Sequence, residues 1–180
     1  MKSMSYLREA SNLTADEIEQ EVRAISARLS LLNKDMPEMS GMDWANDHGW
    51  ISQEDWQEAQ DKAMASMQVQ NAEVEKIEAL RRAHPQAMDE FLGRHIDRLD
   101  AIRDGLQNLA TAADGQKREF AMHFNLTLLP DIIKNLKAWR GNAKTEHWPA
   151  WMWRVAFSIG EESEKFIERE KPSIGESGHR

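Results

Sequence analysis

The amino-acid sequence predicts an all-α fold: a bundle of about five or six helices around a long central antiparallel helical hairpin. Three observations carry that expectation. Strand formers are scarce, with one Tyr and few valines, while the good helix formers Ala, Glu, Gln, Leu, Lys, Arg and Met dominate. Apolar residues recur in alternating steps of four and three, which aligns them on one face of a helix. Side-chain caps of the Ser/Thr type stand ahead of two of these stripes, where a helix must satisfy its first free N–H groups. The 180 residues suit one domain, expected over residues 14–171, with a loosely held arm at 1–13 and a disordered tail at 172–180.

Taken in order, Thr14-Ala-Asp-Glu17 is a capping box, and Ile18, Val22, Ile25, Leu29 and Leu32 follow on one face, giving a first helix that ends near Asn33. Asn33 to Ile51 is broken by Pro37, Gly41 and Gly49, yet it carries Met36, Met39, Met42, Trp44 and Trp50. So much apolar bulk in a connection predicts that it packs over the core, with one short helix at Met42–His48. Ser52-Gln-Glu-Asp55 caps a helix of about 45 Å (1.5 Å per residue) whose stripe of Trp56, Ala59, Ala63, Met67, Gln70, Val74, Ile77 and Leu80 is thin in large side chains. His84-Pro85 interrupts it, because the residue before a proline is driven out of the helical region. Beyond it Met88, Leu92, His95, Leu99, Ile102, Leu106 and Leu109 form a dense stripe, one residue out of phase with the first, so a turn is expected rather than one rod. Gln116–Leu129 and Asp131–Arg140 read as helices separated or kinked by Pro130, the second burying Ile132, Ile133, Leu136 and Trp139. Gly141 is expected to be a left-handed cap. The last helix opens at Pro149, turns Met152, Val155, Ala156, Ile159, Ser163 and Phe166 inward, and is expected to stop at Pro172.

Composition narrows function by exclusion. A net charge of −8 opposes wholesale coating of DNA or of an anionic membrane. With no Cys, thiol catalysis, disulfides and thiolate metal sites are excluded. The N-terminus lacks the apolar core of a signal peptide and no run approaches the ~18 apolar residues of a membrane span, so the expected location is the cytoplasm, away from membranes. There is no phosphate-cradling glycine loop and no nucleophile elbow. No cofactor and no metal are expected. The only Glu-x-x-His, Glu176 to His179, lies in the tail, and His95 in its leucine stripe reads as a core histidine.

Two surfaces stand out as candidates. Residues 117–154 hold 7 basic and 3 acidic residues against 12 and 22 in residues 1–116, and they include Trp139, Trp148, Trp151 and Trp153. Cations interleaved with flat rings suit a nucleic acid or an acidic partner, since charge follows phosphates and bases stack on rings. The candidate residues are Lys134, Lys137, Trp139, Arg140, Lys144 and Arg154. Trp148, Trp151 and Trp153 cannot share one helical face, so at least one should be exposed. The second surface is the thin stripe of Trp56, Ala63, Met67, Gln70, Val74 and Ile77, which suits a partner helix, a second copy of the chain included.

A third signal is the run Arg118-Glu-Phe-Ala-Met-His123. It resembles the Arg-x4–6-His motif of HEPN ribonucleases, which are all-α bundles with paired sites at a dimer interface. The resemblance implies acid–base work by His123 and phosphate holding by Arg118. It covers this short motif alone, and Glu119 stands where a small polar residue often follows the Arg. The sequence points first to a non-enzymatic binding or adaptor protein that works through helix faces, self-associating or a subunit of a larger complex. A nucleic-acid-binding subunit and a HEPN-like ribonuclease are the alternatives.

Overall fold

The computed structural model describes the backbone of residues 12–112, 116–141 and 148–176, and the side chains of these except residues 110–125 and 170–176. Six helices are present among the described residues, with no strand: α1 (Ala15–Lys34), α2 (Met39–Asp47), α3 (Gln53–Ala83), α4 (Pro85–Ala112), α5 (Gln116–Arg140) and α6 (Ala150–Glu176). The expected N-terminal arm and the end of the expected tail fall on residues 1–11 and 177–180, outside the described residues.

The start signals act as read. Thr14 Oγ1 accepts from the Glu17 N–H and the Glu17 carboxylate accepts from the Thr14 N–H at 2.8 Å, so the capping box is complete. Ser52 Oγ accepts from the Asp55 N–H at 3.0 Å. His84 links α3 to α4 by itself: its N–H still bonds the Leu80 carbonyl at 2.8 Å, while its own carbonyl accepts from Met88 in the first turn of α4. Its Nδ1 also accepts from the Leu13 N–H at 3.4 Å, tying the turn to the entrance of α1.

The core is built on α4. All seven residues of its dense stripe are buried, joined by Phe91 and Ile96 on the adjoining face. Around them lie Ile18, Val22, Ile25 and Leu29 of α1, Leu129, Ile132, Ile133, Leu136 and Trp139 of α5, and Trp153, Ala156 and Ile159 of α6. Each fully buried Leu or Ile contributes about 1.5–3 kcal/mol by leaving water, which is why a continuous stripe organises the bundle. Paired contacts give the directions. Arg140–Asp89 and Lys137–Asp100 run in opposite senses along α5 and α4. His95–Ala156 and Arg98–Glu164 run in the same sense along α4 and α6. Leu13–His84, Arg28–Glu73 and Met36–Gln70 make α1 and α3 antiparallel.

Several expectations are corrected. The long helices α3 and α4 are neighbours in sequence more than in space, for α3 lies chiefly on α1 and α2, and α4 on α5 and α6. Pro130 neither starts nor ends a helix: α5 runs through it. The lost N–H bond is outweighed by the burial of Leu129, Ile132 and Ile133 on either side. Pro172 likewise lies inside α6, which continues to Glu176. Gly141 is not left-handed; its N–H makes an ordinary helical bond to Lys137 at 3.0 Å. Among the described residues the left-handed glycine is Gly49, with φ of 69°. Finally, the apolar connection after α1 does not cover the core. It folds into α2, one turn earlier than expected, which has no buried residue and touches no helix but α3 among the described residues.

Candidate functional site

Two cations of the basic segment are engaged within the molecule. Arg140 holds Asp89 through two bonds of 2.8 and 3.1 Å, and that guanidinium keeps the Asp89 carboxyl below its ordinary range. Lys137 reaches Asp100 at 3.2 Å. Trp139 is fully buried: its indole N–H donates to Glu78 at 2.8 Å, Arg81 lies 4.9 Å above its ring, and Trp153 meets it edge-to-face. This corrects the reading of Trp139 as a stacking surface, since no base can reach a ring closed off on every side. Trp153 is buried and Trp148 half-buried, so the exposed ring required by the spacing is Trp151. Lys134 is exposed. Arg154 is half-buried, its carbonyl accepting from Ser26 and its Nε without a hydrogen-bond partner among the described residues. Lys144 and the side chains of Arg118 and His123 lie outside the described residues.

The thin face of α3 is also corrected. Ala63, Gln70 and Ile77, seven apart, are buried by the protein's own chain, and Val74 packs half-buried against the core. The Gln70 amide donates to Ser66 Oγ at 3.3 Å and to Met36 Sδ at 3.4 Å, which gives a buried polar group its partners beside α1. The face is thin because small side chains let α1 approach, and no vacancy for a partner helix follows from it. Trp56 is half-buried and donates to Asp43 of α2 at 2.8 Å. Of the six residues only Met67 is substantially exposed, at 53%.

What the stripe missed is a lobe formed by α2 and the first half of α3, residues 35–69. No residue between Leu29 and Val74 joins the hydrophobic core cluster. Yet five of the seven large apolar side chains exposed among the described residues lie here: Trp44, Trp50, Met64, Met67 and Val69. The end of α2 explains how Trp50 is held out. With Gly49 left-handed, the Trp50 N–H returns to Ala45 at 2.8 Å and the Gly49 N–H to Asn46 at 3.0 Å. This is a Schellman closure, and the Trp50 ring meets Trp44 edge-to-face at 4.7 Å, the apolar contact such closures carry. His48 stacks on the other ring at 4.2 Å, with Nδ1 2.8 Å from the Trp44 carbonyl. A fixed Trp pair with Trp50 72% exposed is thus displayed rather than left loose. The sequence signal for it was Gly49-Trp50 after a short helix, taken there only as a break.

Among the described residues no three His, Asp or Glu side chains converge as metal ligands, and no helix is long and apolar enough to cross a membrane. No protein-family model, curated protein or solved structure matches the chain.

Proposed function

We propose that the protein is a non-enzymatic binding protein that works through protein–protein contact, with the lobe of residues 35–69 as its contact surface. The observation that supports this is the concentration of exposed large apolar side chains in a stretch none of whose side chains joins the hydrophobic core cluster. Exposed large apolar side chains gathered in one stretch, two of them packed together as Trp44 and Trp50 are, favour an interaction site. The basic segment supports a binding role less well, because Lys137 and Arg140 already hold Asp100 and Asp89.

The test is site-specific photo-crosslinking in the cells that make the protein. A benzophenone side chain at Trp50 should give one discrete protein adduct, while the same group at Lys134, exposed on α5, should give none. Absence of an adduct at Trp50, or equal adducts at both positions, would overturn the reading.

A further inference from the structure

We infer that the occupant of this lobe is a basic amphipathic segment of another protein, presenting Lys or Arg beside an apolar stripe; this rests on the reading of the lobe as a contact surface. Charge selects the occupant. Residues 35–69 contain eight carboxylates and a single cation, Lys62, a net of −7 out of −8 for the whole chain. None of the eight makes an ion pair with a Lys or Arg among the described residues, and those held at all are held by neutral donors. Asp43 accepts from the Trp56 indole, Asp55 from Ser52 and Asp61 from Gln57. Elsewhere several acidic residues are matched across helices, as Asp89 is by Arg140, Glu164 by Arg98 and Asp16 by Arg94. The lobe joins eight carboxylates without such a match to five exposed large apolar side chains in one stretch of chain.

That combination excludes the other occupants on physical grounds. A second copy docking lobe to lobe would bring two surfaces of −7 within the ~8 Å over which charges act at physiological salt. Nucleic acid and the anionic leaflet of a membrane carry the same sign as the lobe. A cationic partner gains from both features: its charges are steered in and paired at the rim, while its apolar stripe covers Trp50 and the methionines. Methionine adapts its shape to the side chains laid on it, which suits Met64 and Met67, three apart on neighbouring turns of α3.

The experiment uses the full chain and a fluorescein-labelled helix-forming peptide with Leu at i, i+3, i+4 and i+7 spacing and Lys elsewhere, read by anisotropy. Saturable binding on the order of micromolar is expected. It should weaken at least about tenfold with a peptide of equal charge whose leucines are Ser. A similar loss should follow Trp50→Ala combined with Met67→Ser, whose exposed positions leave the bundle's helicity and melting unchanged. If a Glu-faced peptide binds as well as the Lys-faced one, the partner class is wrong while the contact surface stands. If neither peptide binds, or the lobe substitutions leave binding untouched, the inference falls; a Trp50 adduct in the crosslinking experiment then still preserves the contact reading. A dimer in solution that Trp50→Ala dissociates would assign the lobe to a second copy and overturn the inference as well.

Discussion

His95 is the one polar residue in the stripe of α4, and it shows what a buried titratable group does to stability. It is 9% exposed, lies between Phe91 and Phe157, and its Nε2 is 2.9 Å from the Ala156 carbonyl. Burial pushes the imidazole below its ordinary value of about 6.5; the carbonyl opposes this, Arg98 and Arg23 add to it, and Glu19 opposes it. A base whose folded pKa is depressed binds protons better when unfolded. Stability is therefore complete above about pH 6.5 and is lost as pH falls from there toward the folded value. The carboxylates that also shift, Glu17 at Thr14, Glu73 beside Lys76, Asp89 beside Arg140, Glu161 beside Lys165 and Glu164 beside Arg98, are all lowered and titrate below this window. Between pH 7.5 and 5.5 the melting temperature should fall more for the wild type than for His95→Gln, which can keep a donor to Ala156 without titrating. Parallel slopes in the two thermal melts would show that His95 carries no part of the acid sensitivity. At this scale the sequence was readable where periodicity spoke. The four-and-three alternation placed all seven α4 positions inside, and it placed Trp139 on the inner face even as its basic neighbours suggested a surface. What could not be read were partners far along the chain, such as Asp89 for Arg140, because an ion pair between two helices depends on their relative placement.

At the scale of elements, two glycines in mid-helix separate propensity from packing. A Cβ added at Gly93 would stand 3.1 Å from the Arg140 guanidinium, the far end of a flexible side chain that is substantially exposed. A Cβ at Gly160 would stand 3.2 Å from Leu99 Cδ2, which is fully buried between α4 and α6. Replacing either by Ala gains about 1 kcal/mol of helix propensity. Gly93→Ala gives back at most part of an exposed ion pair, worth about 0.2–1 kcal/mol, and should be neutral to slightly stabilising in urea unfolding. Gly160→Ala forces a core side chain to move, at about 1–3 kcal/mol, and should be net destabilising. Reversed signs would mean that the α4–α6 contact is looser than its distances. Helix starts were legible from Thr14 and Ser52, but helix ends were not. Pro130 and Pro172 are local stop signals, and the proline at 130 is overridden by the burial of Leu129, Ile132 and Ile133 around it. Gly49 and Gly141 exchanged roles for a similar reason. Which glycine turns left-handed depends on where the following chain must go, and a sequence window does not contain that.

For the whole molecule the consequence is a division of labour between a bundle centred on α4 and a lobe none of whose side chains joins the hydrophobic core cluster. Stability is not uniform in such a chain, since segments with few buried contacts open at lower free energy than the core does. The connection after α1 was expected to cover the core because it is rich in Met and Trp. Composition measures how much apolar surface a segment has, and only the fold decides whether the chain itself covers it. Here α2 rests, among the described residues, on α3 alone, buries none of its residues, and leaves Trp44 and Trp50 at the surface. Native-state hydrogen exchange should therefore show the amides of residues 39–69 opening well before those of residues 88–106, whose stripe is buried throughout. Trp50→Ala should change global stability by no more than about 0.5 kcal/mol, the range of a substitution that removes no core contact. A basic amphipathic peptide that covers the lobe should slow exchange there and leave α4 unchanged, because binding energy delivered to an independent unit stabilises that unit first. If the lobe and α4 exchange together through one global opening, the two are a single cooperative unit, and the separation of contact surface from core is wrong.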